Sequence, residues 1–281
     1  MRAPARARRA PSRSAKASGP RPGPAAAAAA ERLQKLIARA GLASRREAEA
    51  WISAGRLTIN GSAATLGARV GPRDEVRLDG RVVRLGALPG GGRVFLCHRS
   101  AGEPLRAPAG AALAPEARPG LIERLPRRAG RRFISVSPMP RVDGGLELLT
   151  SDGALALRLQ RGAHALLSAF SVRVRGVLAE EQCAAIRGGE LDSGARLAVE
   201  ACTAAGGEAA NRWYTLRVRG ASGKEVRQLF ERHGALVSRV LRTHFGPLTL
   251  ERSLGRGRCR ELTAAELAAL EAQPPAGSSS G

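Results

Sequence analysis

The residue types that most often do chemistry are scattered along this chain. The four cysteines include no C-x-x-C pair and no histidine at zinc spacing. No glycine-rich segment follows a strand and opens a helix, as a nucleotide site would require. Asp143-Gly144-Gly145 has, by pattern alone, the composition of an ordinary turn. The histidines, which show no metal or triad spacing, are His98, His164, His233 and His244. Single residues therefore predict neither a metal nor a cofactor.

The charge of the chain is a stronger signal than any single residue. The 281 residues carry 46 Lys and Arg against 24 Asp and Glu, which gives a net charge of +22. This excess predicts a polyanionic partner, with nucleic acid first and an anionic membrane surface second. An apolar content of 43% argues against a wholly disordered chain. No apolar run approaches the roughly 20 residues that cross a bilayer.

The first 29 residues form a region of their own. They hold seven basic residues, no acidic ones and five prolines, which predicts a basic disordered arm. They lack the apolar core of a secretory signal. Their composition is similar to that of a mitochondrial transit peptide, but we favour the arm of a cytoplasmic protein. Four scattered cysteines fit a reducing compartment.

Residues 30–85 read as a small module of two helices followed by short strands. The apolar spacing in 31–40 predicts an amphipathic helix that ends at Gly41. Ser44, with Glu47 three residues on, predicts a capping box that opens a second helix. Short strands follow over 56–60, 67–70, 75–78 and 81–84, with turns at Asn60-Gly61 and Asp79-Gly80.

Four basic side chains of this module are expected on its surface. The segment RLQKLIARAGLASRREAEAWISAGRLTINGSAA resembles the RNA-binding module of ribosomal protein S-four over about residues 31–84. Modules of that type present basic residues to structured RNA and recognise its shape and backbone. The resemblance thus implies RNA binding, whereas the pattern alone fits a solvated basic face equally well. The basic residues concerned are Lys35, Arg39, Arg45 and Arg46.

The rest of the chain alternates strands and helices. A glycine-rich linker is expected over 86–92, and residues 93–265 predict a mixed, mostly antiparallel sheet with flanking helices. A flexible tail is expected over 266–281. The fold class predicted for the whole chain is therefore α+β.

The order of these regions resembles that of the bacterial ribosomal-RNA pseudouridine synthases. The best match is NRWYTLRVRGASGKEVRQLFERHGALVSRVLRTHFGPLTLERSLGRGRCREL, residues 211–262, and LTSDGALALRLQR matches a second family pattern. The subgroup that acts on the large ribosomal subunit, the B-type enzymes, is the most similar. The resemblance implies an RNA isomerase that needs no cofactor or metal and flips its target uridine out of the stack.

The resemblance also implies site residues. Arg141, Val142 and Asp143 match the family's R-L-D motif, so Asp143 is the expected catalytic carboxylate, acting on the sugar as nucleophile or base. Arg227 is its expected arginine partner. Phe170 occupies the position of a tyrosine that stacks on the target base, although plain core packing is an equal alternative. Lys224 and the four basic residues of the small module complete the expected RNA-binding set, with a monomer as the expected state.

Three departures from the family pattern support a second hypothesis. Only Gly144 and Gly145 separate Asp143 from Leu146, where the family has five residues. Phe170 lacks the tyrosine hydroxyl, and residues 222–228 have lost two arginines and an asparagine of the family's R-N-R-x-V-R-R segment. The alternative function is therefore a catalytically impaired relative that binds ribosomal RNA as a ribosome-assembly factor.

Overall fold

A computed structural model describes residues 30–85, 93–107, 119–126, 132–207 and 210–272. The predicted basic arm over 1–29, the linker over 86–92 and the last nine residues lie outside the described residues. Among the helices that are described, none combines the length and apolar character needed to cross a bilayer.

Residues 30–85 contain two helices, a four-stranded antiparallel sheet of order β3-β2-β5-β6, and a separate pair of β1 with β4. The predicted capping box is confirmed, because Ser44 Oγ accepts from the Glu47 N–H at 3.0 Å and Glu47 Oε2 accepts from the Ser44 N–H at 2.6 Å. The elements are β1 Glu31–Arg32, α1 Leu33–Arg39, α2 Arg45–Ser53, β2 Leu57–Ile59, β3 Ser62–Ala63, β4 Arg69–Val70, β5 Val76–Leu78 and β6 Arg81–Val82.

The described residues from 93 onward build one large mixed sheet with four α-helices. The strand order is β11-β12-β10-β13-β9-β7-β15, with β14 beside β13 and β8 beside β9. The strands are β7 Val94–Arg99, β8 Ile134–Ser135, β9 Gly144–Thr150, β10 Leu167–Arg175, β11 Ala198–Ala204, β12 Asn211–Arg219, β13 Leu236–Phe245, β14 Leu248–Thr249 and β15 Cys259–Glu261. The helices are α3 Gly153–Gly162, α4 Glu180–Gly188, α5 Gly223–Arg232 and α6 Ala264–Glu271. This is the predicted α+β class.

One pairing in the large sheet has a different direction from the others. β13 runs parallel to β9, with Leu241 opposite Gly144, whereas the remaining pairs are antiparallel. The junction lies in the middle of the sheet, and Asp143 is the residue immediately before β9. The chain therefore enters the centre of the sheet at the predicted catalytic residue.

The cores divide between the two halves of the sheet. Inward residues of β10, β12 and β13 pack with helices α4 and α5 in one core, whose fully buried members include Phe170, Val240 and Phe230. A second core lies between β7, β9, α3 and α6, where Leu270 is buried. Every second side chain of β10 is buried, as expected for a strand with one face against a core.

Two features of this region were not predicted. Residues 264–271 form a helix where the flexible tail was expected to have begun, because Thr263 and Glu266 make a capping box and Leu270 enters the core. Cys97 of β7 and Cys259 of β15 are opposite each other in the sheet and form a disulfide across 162 residues of sequence. No short-range pattern links two cysteines so far apart.

Candidate active site

Asp143 lies at the end of a turn in which its N–H donates to the Pro140 carbonyl at 3.0 Å. Its side chain has no exposed surface. Oδ1 accepts from Arg227 Nη2 at 2.6 Å and from the Val240 N–H at 2.9 Å, and Oδ2 accepts from Arg227 Nε at 3.1 Å. The paired hydrogen bonds form the two-pronged geometry that makes arginine–carboxylate contacts strong.

Arg227 reaches this carboxylate from α5. The helix begins at a capping box between Ser222 and Glu225, and Arg227 follows in its second turn. Arg227 Nη1 also donates to Glu231 Oε1 at 3.1 Å and to the Val237 carbonyl at 3.0 Å. The hydrogen bond with Asp143 raises the pKa of the guanidinium, although burial opposes it. Arg227 is therefore a fixed positive charge, and 18% of its side chain is exposed.

The short connection after Asp143 depends on two glycines. A methyl group at Gly144 would meet the Arg99 carbonyl oxygen, and one at Gly145 would meet the backbone of Arg242. Gly145 also has a φ of +94°, a conformation that side chains rarely adopt. The backbone thus passes directly between β7 and β13. Asp143 therefore passes directly into β9, which begins at Gly144, with no residue between them.

A buried ionic cluster, made of Arg99, Glu147 and Arg242, lies beneath this loop. Their side chains are 2%, 0% and 1% exposed. Arg99 Nη1 is 3.4 Å from Glu147 Oε1, and Arg242 Nη2 is 3.6 Å from Glu147 Oε2. Burial raises the pKa of Glu147, while Arg242 and Arg99 lower it in part. Buried charges of this kind require partners on every side.

The buried ionic cluster holds the backbone on both sides of Asp143. Arg99 Nη2 donates to the carbonyls of Asp143 at 3.1 Å and Met139 at 2.8 Å, and also to that of Pro140. Glu147 Oε1 accepts from the Met139 N–H at 2.8 Å. Glu147 was not among the predicted site residues. Its signal in the sequence is a lone acidic residue within the apolar strand LELLT.

The remaining predicted site residues differ in how close they come to Asp143. Arg141 is exposed and precedes Asp143 by two positions; its carbonyl accepts from the Gly102 N–H at 2.8 Å, and its side chain has no hydrogen-bond or ion-pair partner among the described residues. Lys224 is exposed in the first turn of α5, three residues before Arg227. Phe170 has no exposed surface and shares a core with Met139 and Val172. Its stacking role stays a prediction, and a base could meet its ring only after neighbours move.

The four basic residues of the small module are all exposed, but they are not equivalent. Lys35 and Arg39 both pair with Glu31, at 3.3 and 2.8 Å. Arg45 and Arg46, in the first turn of α2, have no ion-pair or hydrogen-bond partner among the described residues. Arg45 and Arg46 are therefore the pair most available to an RNA phosphate, and the role of all four stays a prediction.

Neither the histidines nor the cysteines gather into a site. His98 Nδ1 lies 2.8 Å from the Leu254 carbonyl, and the pKa of His244 is lowered by burial. Cys183 and Cys202 are buried thiols whose pKa is raised by burial, that of Cys202 to about 11. In the described parts of the chain no group of three or more His, Cys, Asp or Glu could hold a metal ion.

Known proteins are similar to the small module of residues 30–85 and to most of the chain. The S4 domain family matches residues 31–76. A protein of Pseudomonas aeruginosa called ribosomal large subunit pseudouridine synthase B is 38% identical over 84% of this chain, a match that spans 61% of that relative. Proteins of the same name from Pasteurella multocida and Salmonella typhimurium are each 36% identical, and the matches span 67% and 80% of their lengths.

One solved structure supports the fold independently. The crystal structure of a pseudouridylate synthase superposes with a TM-score of 0.51 and 20% sequence identity. The superposition covers 85% of this chain and 99% of that chain. At this identity the likeness concerns the fold alone.

Proposed function

Because this chain belongs to the family of the B-type ribosomal large subunit pseudouridine synthases, we propose that it isomerises a uridine of large-subunit ribosomal RNA to pseudouridine. The observation that carries the proposal is the contact between Asp143 and Arg227, at 2.6 Å across 84 residues of sequence. The chain has kept the two charged groups that its family would need and brings them together in the middle of the sheet.

The proposed reaction exchanges one bond to the sugar for another. The bond from the ribose to N1 of the uracil breaks, the base rotates, and a bond from the ribose to carbon 5 forms. The carbon-5 proton leaves to solvent and N1 takes up a proton, so the product is an isomer of the substrate. The target must first leave its stack. The Asp143 carboxylate acts on the sugar, either as a nucleophile or as a base. No group other than protein side chains takes part in this scheme.

Arg227 positions the carboxylate and supplies its counter-charge. A buried carboxylate without a partner is strongly unfavourable, and the two hydrogen bonds from the guanidinium together with that from the Val240 N–H satisfy it. Arg227 also donates to the Val237 carbonyl, which fixes its direction. The pair is thus oriented before substrate arrives, which is the condition for efficient positioning.

The target base can reach the Asp143 carboxylate only if part of the protein moves. Asp143 has no exposed surface, whereas Val142 beside it is 61% exposed. Met139 and Pro140 lie against Gly223 at the start of α5. We propose that the exposed residues Arg141 and Val142 move aside when the flipped base enters, while Arg99 continues to hold the carbonyls of Met139 and Pro140. The alternative, an RNA-binding assembly factor without activity, is favoured by the same closed carboxylate and by the short loop after it.

Pseudouridine formation on defined RNA separates these two functions. The purified protein is incubated with an unmodified transcript of large-subunit rRNA, and pseudouridines are mapped by carbodiimide labelling and primer extension. We expect one or a few modified uridines with the wild type and none with Asp143→Asn, although Asp143→Asn still binds the transcript. Binding without modification by the wild type would support the assembly factor. Cells that lack the gene provide the second test, with restoration by the wild type only.

The finer features of the function are proposals of the same kind. Lys35, Arg39, Arg45, Arg46 and Lys224 would contact RNA phosphates. We propose a monomer that acts in the cytoplasm, where its rRNA substrate is assembled into ribosomes. The cytoplasm keeps thiols reduced. In that compartment we therefore expect Cys97 and Cys259 as two thiols that face each other across neighbouring strands.

A further inference from the structure

We propose that the face of the large sheet opposite α4 and α5 binds the RNA strand that flanks the target nucleotide. Trp213 would stack on an unpaired base there, and Arg239 with Arg256 would hold a backbone phosphate. We call this surface, made of Trp213, Arg173, Arg239 and Arg256, the open face. The inference rests on the proposed function in one respect, namely that the partner is RNA.

Strand register places three of these side chains in one row. Trp213 of β12 is the direct partner of Arg173 in β10, and Arg173 is the direct partner of Arg239 in β13. Their sequence neighbours Tyr214 and Val240 are buried in the core beneath α4 and α5. Because adjacent residues of a strand point to opposite faces, Trp213, Arg173 and Arg239 point away from that core.

The row is apolar and cationic, and its side chains are only half-buried. The Arg173 guanidinium lies 6.0 Å from the centre of the Trp213 ring. Within the described residues, neither Trp213 nor Leu241, which lies two positions beyond Arg239 in β13, joins any of the hydrophobic cores. An indole held beside arginines, without core contacts, is the arrangement on which unpaired bases stack.

The row leads to a small basic pocket beside the Asp143 loop. The pocket has a volume of about 80 Å³, and its lining includes His98, Ser100, Leu241 and the two arginines of the open face, Arg239 and Arg256. Leu241 pairs with Gly144, the residue that follows Asp143. A group bound in this pocket would therefore lie next to the backbone of the predicted catalytic turn.

Charge identifies the occupant of this pocket. The side chains of Arg239 and Arg256 have no carboxylate and no hydrogen-bond partner among the described residues. The contrast is with Arg217 and Arg219, farther along β12, which share Glu200 at 3.6 and 2.6 Å. Two unpaired guanidiniums on a concave surface fit a phosphate. The neighbouring indole then favours a single strand of RNA over a duplex or a lipid surface, since a paired base offers no free face.

Fluorescence reports directly on the stacking step. The chain has two tryptophans, so Trp51→Phe leaves Trp213 as the sole indole, and Asp143→Asn in the same protein prevents turnover. We expect the unmodified large-subunit rRNA transcript to quench Trp213 strongly. A 20-base-pair RNA duplex at equal phosphate concentration should quench it weakly. Equal quenching by both RNAs, no quenching by the transcript, or the same quenching by phosphatidylglycerol vesicles would overturn the proposal.

Salt dependence reports on the phosphate step. Arg239→Gln and Arg256→Gln should each weaken binding of the transcript several-fold at physiological salt. Each should also lower the slope of log K against log salt by about 0.7, the value for one phosphate contact of a single strand. Arg187→Gln is the matched control, because this substitution removes the same charge from the opposite face of the sheet. Arg187 is exposed on α4, which covers that face. Thermal melting checks that all three variants are folded.

The outcomes separate this proposal from the proposed function. Quenching of Trp213 and reduced slopes in a protein that forms no pseudouridine would retain the open face and reject the activity. Pseudouridine formation with unchanged slopes in both arginine variants would retain the activity and reject the open face. A slope reduction by Arg187→Gln equal to that of the other two would also reject it.

Discussion

Asp143 and Glu147 are two buried carboxylates, four residues apart, with opposite surroundings. Both lack exposed surface, and both accept hydrogen bonds from a backbone N–H. The partner of Asp143 is Arg227, which is 18% exposed, whereas the partners of Glu147 are 2% and 1% exposed. Asp143 is therefore surrounded by groups of which one, Arg227, reaches the solvent, whereas the arginines that surround Glu147 are buried.

The difference teaches which carboxylate can meet a substrate. The partly exposed member of the Asp143 shell is Arg227, and the two residues that precede Asp143, Arg141 and Val142, are both exposed. Glu147 instead satisfies the buried arginines that hold the carbonyls around Asp143. We interpret Asp143 as the group that acts and Glu147 as the group that holds the loop in place.

The largest expected effect is on activity and concerns Asp143. Asp143→Asn preserves the shape of the side chain but removes its charge, and we expect pseudouridine formation to fall by ~10⁴-fold or more. RNA binding should change little. Single-turnover assays on the rRNA transcript measure the loss. If Asp143→Asn kept a rate near that of the wild type, the distinction between the two carboxylates would fail.

The next effect is on stability and concerns Glu147. Glu147→Gln leaves Arg99 and Arg242 without a buried counter-charge, which should lower the free energy of unfolding by roughly 3–5 kcal/mol. Urea denaturation measures the loss. Glu271→Gln is the control, since Glu271 forms an exposed pair with Arg158 at 2.9 Å and should cost only about 1 kcal/mol or less. Equal losses in the two variants would contradict the closed shell of Glu147.

The glycine that follows the turn tests the same shell from the backbone side. Gly145→Ala introduces a methyl group against Arg242 at a φ of +94°, so we expect a loss of about 1–3 kcal/mol in the free energy of unfolding and a slower reaction. Gly162→Ala is the control, because no atom lies within 4 Å of the added methyl. A Gly145→Ala protein as stable as the control would show that the loop is not tightly held.

The smallest effect is on pH dependence. Burial raises the pKa of Glu147 above its ordinary 4.5, so the native state keeps a proton that the unfolded state has lost. The stability contributed by this group should fall as the pH rises through the interval from 4.5 to its native pKa, by at most about 1.4 kcal/mol per pH unit. Glu147→Gln should lack this slope in urea denaturation at pH 4.5–7. An unchanged slope would contradict the raised pKa.

Glu266 provides the opposite sign in the same measurement. Its hydrogen bond with Arg260 lowers the pKa of this carboxyl to about 2. Its contribution should be present above pH 4.5 and lost as the pH falls towards 2. Glu266→Gln should therefore flatten the acid side of the stability curve, whereas Glu147→Gln flattens the region above it. If both variants flattened the same part of the curve of stability against pH, the two carboxyls would not titrate as their surroundings indicate.

Much of the local structure was predictable because its causes are local. The capping box at Ser44 depends on residues within three positions of each other. The same is true of the turn at Asn60-Gly61, where φ is +50° and +82°. The strand β15 was missed, because the three residues Cys259–Glu261 become a strand only by pairing with β7.

The sequence by itself determined the α+β class, the basic character and, through its resemblance to a known family, the choice of Asp143 and Arg227. These depend on composition, on periods of two or four residues and on short motifs. Only the tertiary structure decided that Glu147 is enclosed by Arg99 and Arg242, and that Gly144 lies against Leu241 of a parallel strand. The physical reason is distance along the chain. The Val240 N–H that binds Asp143 is 97 residues away, so no local pattern can indicate it.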